Sequence, residues 1–210
     1  MLRDTAVATI ARRLGNRTGM ESDIIAEMQL AQTTLESDAT IRPWFLLTEI
    51  ASTTATAGEE RLQLPSNFLA EYEEGTLFVY DGTLDDPWVE LVKCPFDDNV
   101  KVAKGASGKP ESYSLTGDYF RLFPTPDAAY TMKMLYFKQD TTLSSDVENQ
   151  WLKYAPQLLI AETGITMAAY LQNKIAHAMF SGLRDLERKR LLVENTSREV
   201  TNEELFMGGQ

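Results

Sequence analysis

The segment that decides the fold runs from residue 112 to residue 123 and reads SYSLTGDYFRLF. Residues 112–115 and 119–123 are rich in aromatic and aliphatic side chains, and the Thr-Gly-Asp sequence between them is typical of a turn. Two short apolar strands joined in this way predict an antiparallel hairpin. The hairpin places a β-sheet in the middle of the chain.

Further predicted strands lie on both sides of this hairpin, with a turn after about every ten residues. The candidates are residues 44–50, 52–56, 61–64, 76–80, 88–93 and 130–137. Pro65 interrupts the series, and Ser66 is predicted to cap a short helix that runs to Tyr72. Short strands at this spacing predict an antiparallel β-sandwich or open barrel.

Both ends of the chain are predicted to be helical. Apolar residues recur at helical spacing between residues 7 and 14 and between residues 24 and 35. Residues 147–171 are apolar on nearly every face, which predicts a helix buried on several sides. The next helix, at residues 174–193, carries one apolar stripe. That stripe consists of Ile175, Met179, Leu183 and Leu186.

The sequence therefore predicts an α+β fold. Residues 1–41 and 140–200 are expected to form one helical bundle, and residues 42–139 an antiparallel β domain inserted between its halves. Residues 201–210 show no apolar periodicity and are predicted to be a flexible tail. More apolar helix surface is present than one copy is expected to cover, which favours packing between copies.

Composition excludes several classes of protein. The net charge of -11 argues against a basic clamp for nucleic acid, because neutralising phosphates requires surplus cations. A lone cysteine, Cys94, cannot form an internal disulfide. No apolar run approaches the roughly 18 residues that a membrane span needs. The chain is expected to have no membrane association and to be made in the cytoplasm.

The sequence offers little chemistry for catalysis. His177 is the only histidine, so metal sites built on two histidines are impossible, and it is interpreted as solvated. A dyad of Cys94 and His177 remains formally open, but Cys94 is more readily interpreted as a small apolar residue. Glu162 interrupts an apolar helix and is expected to pair with an arginine, within or between subunits. No catalytic, cofactor-binding or metal residues are predicted.

Charge is unevenly distributed along the chain. Residues 1–20 carry four arginines, Arg12 and Arg13 among them, against one aspartate. Residues 56–98 carry eleven acidic side chains against Arg61 and Lys93. The arginines form either a solvated helix face or a surface that docks on an acidic neighbour. The acidic β region cannot grip DNA, but DNA could slide past it without adhering.

Three segments in a fixed order carry a resemblance to a known family. Residues 64–69 read LPSNFL, residues 113–126 read YSLTGDYFRLFPTP, and residues 135–137 read LYF ahead of the long helix that begins near Trp151. Over roughly residues 60–190 the chain resembles the head-to-tail adaptors of tailed bacteriophages, also described as gatekeepers or tail tubular protein A-like proteins.

The resemblance implies a structural virion protein and not an enzyme. Members of that family form a dodecameric ring beneath the portal protein at the neck of the virion. The ring extends the channel for DNA, which passes without specific binding, and is the platform for the tail tube or nozzle. The expected partners are thus the portal protein, the tail hub protein and further copies of the chain, with no cofactor.

Candidate residues follow from this resemblance for each expected contact. Those expected to contact the portal are Leu205, Phe206, Met207, Arg184 and Arg188. Those expected to face the tail hub are Asp81, Asp85, Asp86 and Trp88. Those expected between subunits are Glu162, Arg12 and Arg13.

Two alternatives remain open at this point. One is another neck protein, such as a head-completion or tail-terminator subunit, which would differ in ring symmetry and in its neighbours. The other is an unrelated β-rich binding or hydrolytic domain, which would have a concave site with converging polar groups.

Overall fold

The computed structural model describes residues 1–72, 75–83, 87–95 and 106–207, with only the backbone described for residues 199–207. The chain divides into two compact units. One consists of Met1–Leu46 and Gln139–Gln210, and the other is Leu47–Lys138. The first unit is helical and the second is built of strands, so the α+β fold class is confirmed.

The helical unit contains helices from both ends of the chain. They are α1 (Arg3–Arg13), α2 (Glu21–Ser37), α3 (Gln150–Tyr154), α4 (Pro156–Tyr170) and α5 (Lys174–Met207). Two 3₁₀ turns, Ala39–Ile41 and Trp44–Leu46, follow α2. Helix α4 contacts α1, α2, α3 and α5. Because α4 is strongly apolar and many of its residues are buried, it forms the centre of this unit.

The single helix predicted for residues 147–171 is interrupted at Ala155. This residue has φ −131° and ψ 46°, outside the helical region, and it separates α3 from α4. Pro156 causes the break, because a proline ring disfavours helical backbone at the residue before it. Proline is well accommodated as the first residue of α4, where its missing N–H is not needed. Asn149 caps α3 by accepting a hydrogen bond from the amide of Leu152.

Helix α5 is longer than the sequence predicted. It was expected to end at Val193, with a flexible tail from residue 201, but the helical backbone continues to Met207. Pairs one turn apart favour the extension, among them Arg198 with Glu194 at 3.2 Å. Residues 208–210 lie outside the described part of the chain.

The β unit contains nine described strands. They are β1 (Leu47–Ala55), β2 (Arg61–Gln63), β3 (Phe68–Glu71), β4 (Leu77–Tyr80), β5 (Trp88–Glu90), β6 (Val92–Lys93), β7 (Ser112–Thr116), β8 (Tyr119–Phe123) and β9 (Tyr130–Lys138). One sheet has the order β1-β9-β4-β5, with β3 also paired to β9, and the other has the order β2-β8-β7-β6. All pairs are antiparallel except β6 with β7.

The predicted hairpin is present as β7 and β8, with Ser112 opposite Phe123 and Thr116 opposite Tyr119. Gly117 in its turn has φ +61°, a conformation that side chains rarely adopt. The two sheets share one apolar core, in which Phe120 of β8 meets Tyr113 of β7 and Phe68 of β3 edge-on. Two sheets that pack through a common core form a sandwich.

Two local predictions in the β region are wrong. Residues 66–72, predicted as a short helix, contain strand β3, because β9 offers them a pairing edge and Phe68 stacks on Tyr136 at 5.5 Å. Residues 44–46, predicted as the start of a strand, form a 3₁₀ turn. There Phe45 packs against Trp151 and Tyr154, so aromatic burial determines the local backbone.

Helices α4 and α5 pack closely at Gly164. A methyl group built on Gly164 would lie 2.5 Å from Cδ1 and Cε1 of Phe180, whose ring is fully buried. We therefore expect Gly164→Ala to lower the free energy of unfolding by about 2 kcal/mol, since overpacking outweighs the better helix propensity of alanine. Urea denaturation measures the change.

Gly182 of α5 is the matched control, because a methyl group there would contact nothing within 4 Å. Gly182→Ala is expected to raise the free energy of unfolding by up to about 1 kcal/mol. Equal effects of the two substitutions would contradict the packing argument.

Candidate functional site

The helical unit contains an ionic cluster of three residues, Asp38, Glu162 and Arg188, which connects the N-terminal part of this unit to its C-terminal helices. Nε and Nη2 of Arg188 donate to Oε1 of Glu162 at 3.2 and 3.0 Å, and Nη1 donates to Oδ2 of Asp38 at 2.9 Å. Thr40 donates to Asp38 through both its amide and its hydroxyl. These bonds, with the charge of Arg188, lower the pKa of Asp38. The cluster holds α4, α5 and the turn after α2 together.

A second polar cluster, centred on Glu36 of α2, is almost fully buried. Its Oε1 accepts hydrogen bonds from Gln32 Nε2 at 2.9 Å, Trp151 Nε1 at 3.1 Å and the Asp140 amide at 3.2 Å. Asn149 Nδ2 donates to Gln32 Oε1 at 3.0 Å, which extends the network to the cap of α3. Burial raises the pKa of Glu36, although the hydrogen bonds that it accepts oppose the rise. The cluster fixes α2 against α3.

Aromatic rings link the second 3₁₀ turn to α3 and to the later part of α5. Trp44 meets Tyr154 with ring centroids 4.7 Å apart. The guanidinium of Arg198 lies 3.6 Å from the centroid of Trp44. Asn195 Nδ2 donates to the carbonyl of Arg42 at 2.9 Å, and its Oδ1 accepts from the Trp44 amide at 3.2 Å. The contacts orient α5 beyond Leu191, which is buried.

Helix α5 buries a different face from the one that the sequence predicted. Ala176, Phe180 and Leu191 are buried, whereas Ile175, Met179 and Leu186 of the predicted stripe are exposed, as is Val193. We call Ile175, Met179, Leu186 and Val193 the α5 face. An apolar helix face left in water is typical of a surface that binds another protein.

The β unit presents a mixed aromatic and charged surface around β4 and β5. Asp81 pairs with Lys109 and accepts a 2.6 Å hydrogen bond from the Thr83 hydroxyl. Tyr80 packs edge-on against Trp88 at 5.4 Å. Lys133 Nζ lies 5.3 Å from the centroid of the Trp88 ring. The hydrogen bond from Lys109, followed by those from Thr83, lowers the pKa of Asp81 to about 2.

Comparison with known protein families identifies the kind of protein that carries these surfaces. The model of the SU10 adaptor protein family matches residues 2–202, nearly the whole chain. The chain belongs to this family. It is therefore an adaptor, a structural protein of the bacteriophage head-to-tail junction, as the resemblance implied. No curated protein matches it.

The structure places most of the adaptor's predicted assembly residues. Glu162 pairs with Arg188 of the same chain, so its expected arginine partner lies within one copy. Arg184 pairs with the neighbouring Asp185 at 2.8 Å. Arg12 is exposed on α1, and Arg13 donates to Gln157 of α4 at 3.2 Å.

The remaining predicted residues divide between the β unit and the end of α5. Trp88 is the first residue of β5, and Asp81 directly follows β4, the strand that pairs with β5. Asp85 and Asp86 lie outside the described residues. Leu205, Phe206 and Met207 lie in the last turns of α5, where only the backbone is described. Their roles in assembly stay predictions.

The sequence analysis missed the Glu36 cluster and the aromatic contacts of Trp44. Apart from Gln32 of the same helix, the residues that donate to the carboxylate of Glu36 lie more than a hundred positions away, as do Tyr154 and Asn195 from Trp44, so no local pattern indicates these contacts. In the described part of the adaptor, no group of His, Cys, Asp and Glu side chains is arranged to hold a metal ion. None of the described helices has the length and apolar character required to span a membrane.

The Glu36 cluster predicts a contrast between two substitutions. Glu36→Leu removes the acceptor from three buried donors and is expected to cost about 2–4 kcal/mol in the free energy of unfolding. Glu36→Gln keeps a carbonyl acceptor and removes a buried charge, so its cost at neutral pH is expected to be much smaller. Urea denaturation at pH 7 compares them, and equal losses would contradict the role of the acceptor.

The same variants carry a pH signature. Because the pKa of Glu36 is raised above 4.5 in the folded chain, the folded state holds this proton to higher pH than the unfolded state. Its contribution to stability is therefore fully present below 4.5 and falls as the pH rises through the folded pKa. Glu36→Gln is expected to remove this decrease from the stability curve.

The pH dependence of stability expected from Asp81 has the opposite sign to that expected from Glu36. Its pKa falls from 3.8 to about 2 in the folded chain, so its contribution to stability is present above 3.8 and is lost as the pH falls towards about 2. Asp81→Asn is expected to flatten the loss of stability in this window, measured as the urea midpoint at each pH. Lys109→Gln removes the main cause of the shift and is expected to act in the same direction.

Proposed function

We propose that copies of this adaptor form a closed ring beneath the portal protein, with twelve subunits, and that the ring extends the DNA channel towards the tail. The observation that carries the proposal is the α5 face, which leaves four apolar side chains of a family member in water. Burying such surface between neighbouring copies is the main favourable term in protein association. A ring repeats one such contact until it closes.

The charge of the chain suits a channel for DNA. The net charge is -11, and residues 56–98 contain eleven acidic residues. A duplex passing through a ring of like charge is repelled from the wall and does not adhere to it. The adaptor therefore guides DNA during packaging and ejection without binding a sequence.

The two units serve different neighbours. The helical unit, with Arg184 and Arg188, faces the portal, and the apolar segment Leu205, Phe206 and Met207 anchors the end of α5 there. The β unit, with Asp81, Trp88 and the acidic residues Asp85 and Asp86, faces the tail hub and provides the platform for the tail tube or nozzle. Arg12 and Arg13 support contacts between subunits, while Glu162 pairs with Arg188 within its own copy. The assembled adaptor lies in the neck of the virion.

Electron microscopy of the adaptor mixed with its phage's portal ring tests the proposal directly. The expected image is a portal ring with a second ring of twelve adaptor subunits stacked on one end. Adaptor that stays monomeric beside intact portal rings would contradict it, and a ring of another symmetry would correct the subunit count. Analytical ultracentrifugation of each mixture gives the mass independently.

Truncation tests the anchor separately. Removing all residues after Val200 deletes Leu205, Phe206 and Met207, and the affinity for portal rings is expected to fall by about tenfold or more, because buried apolar anchors dominate such contacts. Truncation after Met207 removes only Gly-Gly-Gln and is the matched control. Unchanged affinity of the shorter chain would show that the anchor lies elsewhere.

A further inference from the structure

The four residues of the α5 face lie along one side of the helix and form an apolar strip. Ile175, Met179, Leu186 and Val193 are 86%, 45%, 63% and 67% exposed. At 100° per residue their directions fall within about 40° of one another. The strip spans about 27 Å along the helix axis, at 1.5 Å per residue. It is long enough to seat another helix.

The charges beside the strip argue against pairing of α5 with α5. Lys189 and Arg190 are exposed and flank the strip on either side. Glu187 lies 3.6 Å from Arg190, but it is on the far side of that residue from the strip. A two-fold contact in which two α5 helices run parallel would bring these cations together, and like charges across an interface oppose binding. The strip therefore fits a partner surface that carries acidic groups.

Helix α2 presents such a surface on the same unit. Its outward side carries Ala26, Leu30 and Thr33, and Leu30 is 59% exposed. Asp23 and Glu27, one turn apart, lie along one edge of this side. We call these five residues the α2 face. Small side chains around one exposed leucine permit a neighbouring helix to approach closely, and the acidic edge complements Lys189 and Arg190.

Helix α2 is long enough to lie along the strip on α5. It has 17 residues and is therefore about 25 Å long, of which the α2 face, from Asp23 to Thr33, covers about 15 Å. Leu30 lies near the middle of α2, and Leu186 lies near the middle of the strip. These two residues would meet in either direction, and Glu27 lies beside Lys189 and Arg190 when the two helices run antiparallel.

We propose that the α5 face of one copy packs on the α2 face of the next copy around the ring. This inference rests on the proposed ring and names the surfaces that build it. Because two different faces meet, the contact is heterologous, and repeating it propagates in one direction until the ring closes. An α5–α5 contact would stop at a dimer.

Disulfide trapping distinguishes these arrangements in the full-length chain. All variants carry Cys94→Ser, and cysteines replace Leu30, Leu186 or both. Oxidation of the double variant at high concentration, with and without portal rings, is expected to give a ladder of covalent dimers, trimers and larger species on a denaturing gel. Either single variant oxidised alone is expected to stay monomeric, because its cysteine has no partner cysteine on the facing surface.

Three outcomes of the disulfide-trapping experiment would contradict the proposal in different ways. A covalent dimer from the Leu186→Cys variant alone would show that α5 pairs with itself and would overturn the proposal. Rings seen by electron microscopy without any ladder would overturn the pairing of these two faces and leave the ring itself standing. Chains that neither cross-link nor assemble on portal rings would overturn both.

Charge exchange provides an independent measurement. Reversing Lys189 and Arg190 to glutamate is expected to weaken assembly several-fold in sedimentation experiments. Combining this change with Asp23→Lys and Glu27→Lys is expected to restore it. A merely structural effect of the first pair of substitutions would not be rescued by the second. Failure of the rescue would contradict the proposed contact.

Discussion

The burial of α4 is the constraint on which the helical unit depends. Pro156–Tyr170 is apolar on nearly all sides, and a helix of that kind has no stable place except among other helices. Helices α1 and α2 cover it from the beginning of the chain, and α3 and α5 cover it from the end. The segment between, Leu47–Lys138, leaves this unit, forms a second unit of its own and returns.

Apolar burial alone would hold these helices together without fixing how they meet. Two polar clusters add that specificity, since buried charges tolerate only arrangements that satisfy their hydrogen bonds. Arg188 must reach both Glu162 and Asp38, and Glu36 must meet donors from α2, α3 and the segment before α3. Each cluster joins residues from opposite ends of the sequence. The alignment of α5 is thus set by polar contacts as much as by packing.

The parts of the fold that were predictable are those in which local pattern and tertiary context agree. The hairpin of β7 and β8 is one case, because its strands, its turn and its glycine all favour the same structure. Strand β3 is the opposite case. Pro65 and Ser66 favour a helix start locally, but pairing with β9 and stacking of Phe68 on Tyr136 override that preference. The Glu36 and Trp44 contacts have no local signal at all.

The wrong prediction of which face of α5 is buried is of another kind, and the proposed assembly accounts for it. Periodicity detects an apolar stripe correctly, but it cannot tell whether the partner of that stripe lies in the same chain. The side of α5 that packs on α4 carries Ala176, Phe180 and Leu191, and Gly164 of α4 lies opposite Phe180. Small residues such as Ala176 and Gly164 contribute little to a periodic pattern of apolar side chains. The more conspicuous stripe faces outward. A helix with one side for its own subunit and another for a neighbour is what the proposed ring requires, and the net charge of -11 opposes association of free copies.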